Sequence, residues 1–275
     1  MIDVTIVVVG TNEKADLERC LPSIRNSRTS FKFETILVDN ASTDGTYEMV
    51  SQKFPEIKIL RMARKEGYID SNNRAMKEGS GRYFLLLNSD IELKPETLDY
   101  TVRFMDSHPD GAAASCKLLF DDGTLQLTSR RFPTPLVYLA RLPHFFRWLA
   151  FMKPFAKSAV VSRYLMMDYD HETSRAVDWV VSAFFLLRRK AIEEVGPVGQ
   201  GLLQPFYLED VDFCFRARVK GWKTYYIPEV TAFHFYKRGS VSRLGKLSFV
   251  HMGNILIFYA KNGLDMMLGK HKRAA

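Results

Sequence analysis

Residues 83–90 read Tyr83-Phe84-Leu85-Leu86-Leu87-Asn88-Ser89-Asp90, an unbroken apolar run closed by three polar side chains. An apolar run with no alternation predicts a strand covered on both faces, as the strands of a parallel sheet are. In open sheets of that kind, ligands bind beyond the carboxyl ends of the strands. A carboxylate placed there can hold Mg²⁺ or Mn²⁺ together with substrate phosphates. Asp90 is therefore a candidate metal ligand, with Asn88 and Ser89 beside it. The plainer alternative is a polar turn, because Asn and Asp favour turns.

Upstream the pattern repeats. Val4–Val9, Glu34–Val38 and Ile57–Leu60 read as strands, and Ala15–Ile24 as a helix with Leu17, Leu21 and Ile24 on one face. A second helix ends near Phe54-Pro55 and a third covers Tyr68–Lys77. Such alternation predicts an α/β fold with a mainly parallel central sheet flanked by helices. Thr11-Asn12 and Asp39-Asn40 then lie at the same edge as Asp90. Asp39 can accept a hydrogen bond from a pyrimidine N3–H or a ribose hydroxyl; the alternative is an Asx turn. Asp44 reads as a helix cap.

Downstream, Ala112–Leu119 predicts a strand, Asp121-Asp122-Gly123-Thr124 a hairpin turn, and Val177–Leu187 one long buried strand. Phe213–Val219 predicts a helix, Tyr225–Ile227 and Thr231–Phe235 two short strands, and Leu247–Leu268 an apolar helix ahead of Lys270-His271-Lys272-Arg273. Glu209-Asp210-Val211-Asp212 opens the helix at Phe213. Acids at a helix N-terminus are stabilising whatever their function, and Asp212 with Arg216 makes an i,i+4 pair. Three acids exceed what capping requires, however, and a carboxylate held rigidly there can act as a general base. His234 precedes Lys237, Arg238 and Gly239. It is either structural or, with Arg238, placed to reach a diphosphate or a metal. Trp179 and Asp178 are candidates for an acceptor groove, against the alternative of a buried core tryptophan.

The chain's 47% hydrophobic and 25% charged residues are ordinary for a folded protein. No repeat or low-complexity linker divides it. Cys20, Cys116 and Cys214 are odd in number and far apart, which predicts buried thiols in a reducing compartment. Met1 leads directly into a strand, and no apolar run reaches the ~20 residues of a membrane span. The expectation is a cytoplasmic protein. A net charge of +8 suits nucleic acid, an anionic membrane or a phosphate-bearing substrate. Scattered basic residues and the lack of a binding motif argue against nucleic acid. Leu142–Phe155 interleaves aromatic residues with Arg147 and Lys153, so it can lie on the inner face of an anionic bilayer. Otherwise it is a helix on the sheet with snorkelling cations.

Taken in order, these segments resemble the family 2 glycosyltransferases with the GT-A fold. The resemblance rests on Val7-Val8-Val9 with Asn12, Val38–Thr46, Gly67-Tyr68 with Asn72-Asn73, Leu85–Asp90, Tyr207–Arg216 and Gly221-Trp222. It spans roughly residues 3–240, and the ordered set is far more specific than any piece. It implies a domain over 1–240, with a nucleotide-binding half (1–110) and an acceptor half (111–240), followed by a helical tail over 241–275. It implies a nucleotide-diphosphate sugar donor bound by Thr11, Asn12, Asp39, Asn40, Asn72, Asn88, Ser89, Asp90, His234 and Arg238. Asp90 and His234 would hold the divalent cation, Mg²⁺ or Mn²⁺. Asp210 would be the base that deprotonates an acceptor hydroxyl, with Glu209 supporting the acceptor or orienting the base, in a single inverting displacement.

Ser129–Thr134, Arg163–Met166 before Asp168, and Val177-Asp178-Trp179-Val180 resemble more narrowly the rhamnosyltransferase-like branch of bacterial surface-polysaccharide synthesis. That branch implies dTDP-L-rhamnose as donor and a saccharide acceptor, often polyprenol-linked. Departures occur at Lys65, Ile69, Ser71 and Ala75, and at Ser182, where the branch often has glycine. They bear on the donor more than on the reaction class. A sugar-nucleotide pyrophosphorylase would require a Gly-rich basic loop where Gly10-Thr11-Asn12-Glu13 stands. A nucleotide-sugar-binding protein without transferase activity is the remaining alternative, and the presence of both Asp90 and Asp210 argues against it.

Overall fold

Strand and helix alternate through the opening third of the chain as the hydrophobic periods require. The elements are β1 (Val4–Gly10), α1 (Lys14–Arg25), β2 (Phe33–Asp39), α2 (Thr46–Lys53), β3 (Lys58–Arg61), α3 (Tyr68–Glu78), β4 (Tyr83–Asn88), β5 (Ile91–Leu93), α4 (Thr97–Ser107) and β6 (Gly111–Leu119). They continue with β7 (Leu125–Gln126), β8 (Ser129–Arg130), α5 (Pro135–Arg141), α6 (Ala159–Tyr164), β9 (Arg175–Val177), β10 (Trp179–Val180), β11 (Phe184–Arg188) and α7 (Arg189–Val195). The last are α8 (Glu209–Val219), β12 (Lys223–His234) and α9 (Lys246–Met267). This is a computed structural model, and it describes residues 1–141, 159–203, 208–235 and 246–267. The Leu142–Phe155 segment, Arg238 and the terminal basic cluster lie outside the described residues.

One ten-stranded sheet runs β3-β2-β1-β4-β11-β6-β12-β5, with β7 on β6 and β9 on β12. β1 pairs in parallel with β2 and β4, and β2 with β3. β11 is antiparallel to both β4 and β6, so the sheet crosses the expected division near residue 110 without a break. β8 and β10 form a separate two-stranded ladder.

Burial explains the unbroken apolar runs. Val7, Phe84 and Leu86 pack on one face with Met76 of α3, Phe213 of α8 and Phe258 of α9. Ile6, Val8, Leu85 and Leu87 pack on the other with Leu17 of α1, Val50 of α2 and Val102 of α4. Both faces of these strands are core, so no polar alternation is left.

Two expectations need correction. Val177–Leu187 is not one strand but β9, β10 and β11, because the chain bends at Asp178 and turns at Ser182-Ala183. The apolar run hid the break, since a continuous run carries no period to interrupt. Conversely, Tyr225–Ile227 and Thr231–Phe235 belong to one strand, β12. Its pairing with β6 jumps from Ile227↔Cys116 to Thr231↔Lys117, leaving Pro228, Glu229 and Val230 as an irregularity. Proline at such a bulge is expected, because it has no N–H for the ladder. The three cysteines are free and buried, as anticipated. No helix among the described residues is long and apolar enough to cross a membrane.

Candidate active site

At the ends of β1 and β2 the polar side chains mostly hold the loops to one another. Asn12, in the left-handed region at φ 54°, accepts a hydrogen bond from the Thr43 N–H at 2.7 Å, and its own N–H donates to Ser42 Oγ at 3.0 Å. Asp44 accepts from the N–H of Lys14 at 3.1 Å and of Thr46 at 3.0 Å, so one carboxylate caps the starts of α1 and α2. Asn40 is clamped at both ends of its amide by Glu66, donating to its carbonyl at 3.0 Å and accepting from its N–H at 2.8 Å. Asp39 differs. Its Oδ1 accepts from the Ser42 N–H at 3.0 Å, a local turn contact close to the Asx alternative, yet its buried Oδ2 has no hydrogen bond among the described residues. Arg61, which pairs with Asp39 across β2–β3, stands 3.8 Å from that oxygen and lies over the ring of Tyr47.

The end of β4 is braced on two sides. Tyr68 donates its hydroxyl to Asn88 Oδ1 at 3.1 Å, and Asn72, one turn on in α3, donates to the Tyr68 carbonyl at 2.9 Å. Ser89 donates to Glu13 Oε2 at 2.5 Å. Burial raises the pKa of Glu13 and the charge of Asp90 adds to the rise, while Ser89 and the Thr11 main chain oppose it. Asp90 itself faces His234: Oδ1 and Nε2 are 3.3 Å apart. Gln126 Oε1 lies 2.8 Å from His234 Nδ1 and, as an acceptor, fixes the ring proton there. His234 Nε2 and the Asp90 carboxylate thus face each other as two possible ligand atoms. Donors ~2.1 Å from an octahedral ion stand about 3 Å apart. The pair therefore fits a divalent cation whose other ligands come from substrate and water. Among the described residues no cluster of three or more His, Cys, Asp or Glu could hold a metal alone.

The third group is built at the start of α8. Leu208 precedes it at φ 81°, a conformation costing a non-glycine residue roughly 1–2 kcal/mol. Its side chain is buried in the core, which offsets that strain and fixes how the helix starts. Asp210 accepts from the Ser182 N–H at 3.1 Å and the Val211 N–H at 2.8 Å. Glu209 Oε1 accepts from Ser182 Oγ at 3.2 Å, whereas its Oε2 is buried without a hydrogen bond among the described residues. Burial raises the pKa of both carboxyls. The neighbouring charge of Asp210 raises Glu209 further, whereas main-chain N–H groups and Arg130 restrain Asp210. Asp212 is fully buried and bound to Arg216 Nε at 2.8 Å, the anticipated structural pair.

Trp179 and Asp178 are occupied within the fold. The indole donates to the Arg131 carbonyl at 2.9 Å and is 6% exposed; its ring and that of Tyr164 flank the Arg130 guanidinium. Asp178 accepts from the Phe132 N–H at 2.7 Å and pairs with Arg218. The core alternative describes this tryptophan, which supports Arg130 rather than facing an open groove.

A short path of bonds joins the two acidic groups. The N–H of Asn88 donates to the carbonyl of Ala183 at 2.9 Å, and Ala183 follows Ser182, which holds Asp210 and Glu209. Tyr68 adds a second link. Burial raises its pKa, and the charges of Glu209, Asp210 and Asp90 all push it the same way. The end of β4 and the start of α8 are thus linked through the Ser182-Ala183 turn.

Comparison with known proteins agrees. The model of the glycosyl transferase family 2 matches residues 5–196. The chain belongs to that family. Its relatives include the dolichol-phosphate mannosyltransferase of Pyrococcus furiosus, 23% identical over 290 residues, covering 99% of this chain and 75% of the relative. Another is the N-acetylglucosaminyl-diphospho-decaprenol L-rhamnosyltransferase of Mycobacterium tuberculosis, 26% identical over 255 residues, covering 88% and 79%. Among solved structures, the mannosyltransferase PcManGT from Pyrobaculum calidifontis in complex with GDP-Man and Mn2+ superposes with a TM-score of 0.60 at 16% identity. That superposition covers 94% of this chain but 63% of the other, under two thirds of its length. The GT-A arrangement is thereby met.

The family 2 match includes Asp39 and Asp90 and stops before Glu209, Asp210 and His234. Reading the sequence passed over Glu13, Tyr68, Arg130 and Ser182 as parts of the site. Tyr68, Arg130 and Ser182 each stood in a quoted motif or departure, which was the available signal. Nothing local marked Glu13, whose partner Ser89 is 76 residues away.

Proposed function

We propose that this family 2 glycosyltransferase moves one sugar from a nucleotide-diphosphate donor, dTDP-L-rhamnose, to a hydroxyl of a polyprenyl-diphosphate-linked saccharide, inverting the anomeric centre. The observation that supports the proposal is the bond from Asn88 to Ala183, which joins the end of β4 to the turn whose Ser182 bonds Asp210 and Glu209. The choice of donor and acceptor is supported by the decaprenol L-rhamnosyltransferase relative and by the motifs shared with that branch.

In this reading Asp39 Oδ2 takes the N3–H of the base. Asp90 and His234 hold Mg²⁺ or Mn²⁺. A bound cation would offset the charge that develops on the departing diphosphate. Asp210, anionic through two N–H bonds and Arg130, accepts the proton of the acceptor hydroxyl. The oxygen bonds to the anomeric carbon as the carbon–oxygen bond to the diphosphate breaks, and that group leaves with the electron pair. One carboxylate suffices because the leaving group takes no proton, unlike glycoside hydrolysis with its acid and base pair. Leu142–Phe155 is the stretch assigned to contact an anionic bilayer, where a lipid-linked acceptor resides.

The test incubates the chain with dTDP-L-rhamnose and a synthetic polyprenyl-diphosphate N-acetylglucosamine, with Mn²⁺ or with EDTA. Mass spectrometry should show one added deoxyhexose only with Mn²⁺, and NMR should show the inverted anomer. Absence of transfer from a panel of dTDP-, UDP- and GDP-sugars would reject the reading.

A further inference from the structure

Ser182 treats the two adjacent carboxyls differently. Its main-chain N–H donates to Asp210, which any residue could supply, and its hydroxyl donates to Glu209, which a glycine or alanine could not. Asp210 receives two N–H bonds, one on each oxygen. Hydrogen bonds to the charged form favour that form. Glu209 receives one hydroxyl on Oε1, is 5% exposed, and keeps Oε2 buried with no partner among the described residues. A buried carboxylate with a bare oxygen is costly beside a second carboxylate, and the lower-cost state is a neutral acid.

We infer that Glu209 works as a neutral carboxylic acid, oriented by Ser182 so that Oε1 accepts the serine hydroxyl and Oε2–H donates to a sugar hydroxyl oxygen in the cleft. The inference rests on the transferase reading and adds to it a division of labour: Asp210 alone is the base, and Glu209 is a substrate-contacting donor. Ser182 is a positioning residue. It decides which oxygen of Glu209 carries the proton, because the oxygen already accepting a hydrogen bond is the carbonyl one.

The groups facing the pair come from every packed element. Asp210 shares α8, Tyr68 reaches in from α3, Arg130 from β8, and Ser182 from the turn before β11. Among the described residues, Arg130 is the cation that favours an anion here, and it acts on Asp210. Burial and the Asp210 charge both push Glu209 toward the protonated state, against the Ser182 bond and a main-chain bond.

The experiment has one arm independent of activity. Glutamate side-chain carboxyls are labelled with ¹³C in the whole chain, and the Glu209 signal is identified by its loss in Glu209→Gln. Its chemical shift should be that of the protonated form at pH 7, titrating above the other glutamates. The second arm measures transfer. Gln keeps the geometry of a neutral acid, so Glu209→Gln should retain about tenfold more transfer than Glu209→Ala. The acid limb of kcat/KM should sit at the same pH in Glu209→Gln, since a neutral group has been exchanged for a neutral group. An anionic Glu209 would instead raise the pKa of Asp210, and its removal would move that limb down. Ser182→Ala should lower kcat/KM with little change in nucleotide affinity. A Glu209 signal already ionised at pH 7, or a Glu209→Gln protein as impaired as Glu209→Ala, overturns the inference. Failure of the transferase reading shows separately, as a parent chain that transfers nothing while the carboxyl signal still reports its state.

Discussion

The loop after β2 and the start of α8 occupy similar places, each at an end of an element of the same fold, but Asp44 in the first and Glu209 in the second have opposite surroundings. Asp44 and the neighbouring Asn40 are saturated by main-chain N–H and C=O groups, and their bonds tie the loops to one another. Glu209 and Asp210 are more deeply buried than Asp44 and less completely bonded, with one carboxyl oxygen left bare. The first pair stabilises the fold. The second is tolerated by it, and buried groups whose partners are incomplete are where chemistry is to be expected.

That contrast can be broken by substitution. The largest effect should come from Asp210→Asn, with transfer falling about a thousandfold, as for loss of a general base. Nucleotide affinity in calorimetry should stay unchanged. A fully active Asp210→Asn protein would erase the contrast. Next, Asp90→Ala should abolish the gain in nucleotide affinity that Mn²⁺ gives. Gln126→Leu, which releases the His234 ring, should weaken Mn²⁺ about tenfold by titration.

Smaller and in the other direction, Glu209→Gln should stabilise the protein by about 1–3 kcal/mol at neutral pH in denaturant titration. Its carboxyl has a raised pKa in the folded state. Below the ordinary carboxylate range both states are protonated and the substitution gains nothing. As pH rises past that range the unfolded chain releases a proton that the folded chain retains, so the parent loses stability and the gain from Gln grows. A gain greatest at acid pH would contradict the assignment. Smallest is Asp44→Ala, which should cost about 1 kcal/mol as a lost cap and leave transfer per folded molecule intact.

Much of this contrast was legible before the structure. The parallel strands followed from apolar runs, and Asp44 was rightly read as a cap, because capping is local and spacing reports it. Asp90 and Asp210 were picked from the strand end and the excess of acids. What the sequence could not show was non-local. Ser182 looked like one more residue in a continuous strand, and only the turn there brings its hydroxyl to Glu209. Arg130 and Trp179 stood in two separate segments of the narrower resemblance, and their contact depends on the β8–β10 ladder. Glu13 resembled an ordinary helix start until Ser89 closed on it.

The irregularity in β12 sets a condition on how this molecule can change length. Between Ile227 and Thr231 the strand takes four steps while β6 takes one, and His234 is reached three residues later. Side chains along a strand alternate between faces, so parity decides where the imidazole points. Ile227 and Val230 share one core layer although three residues apart, so excising one residue from 228–230 would leave a regular alternation with His234 still on the side of Asp90, whereas excising two would swing it away. This bulge, with Pro228 and Val230 buried, is an odd–even counter for the cation edge.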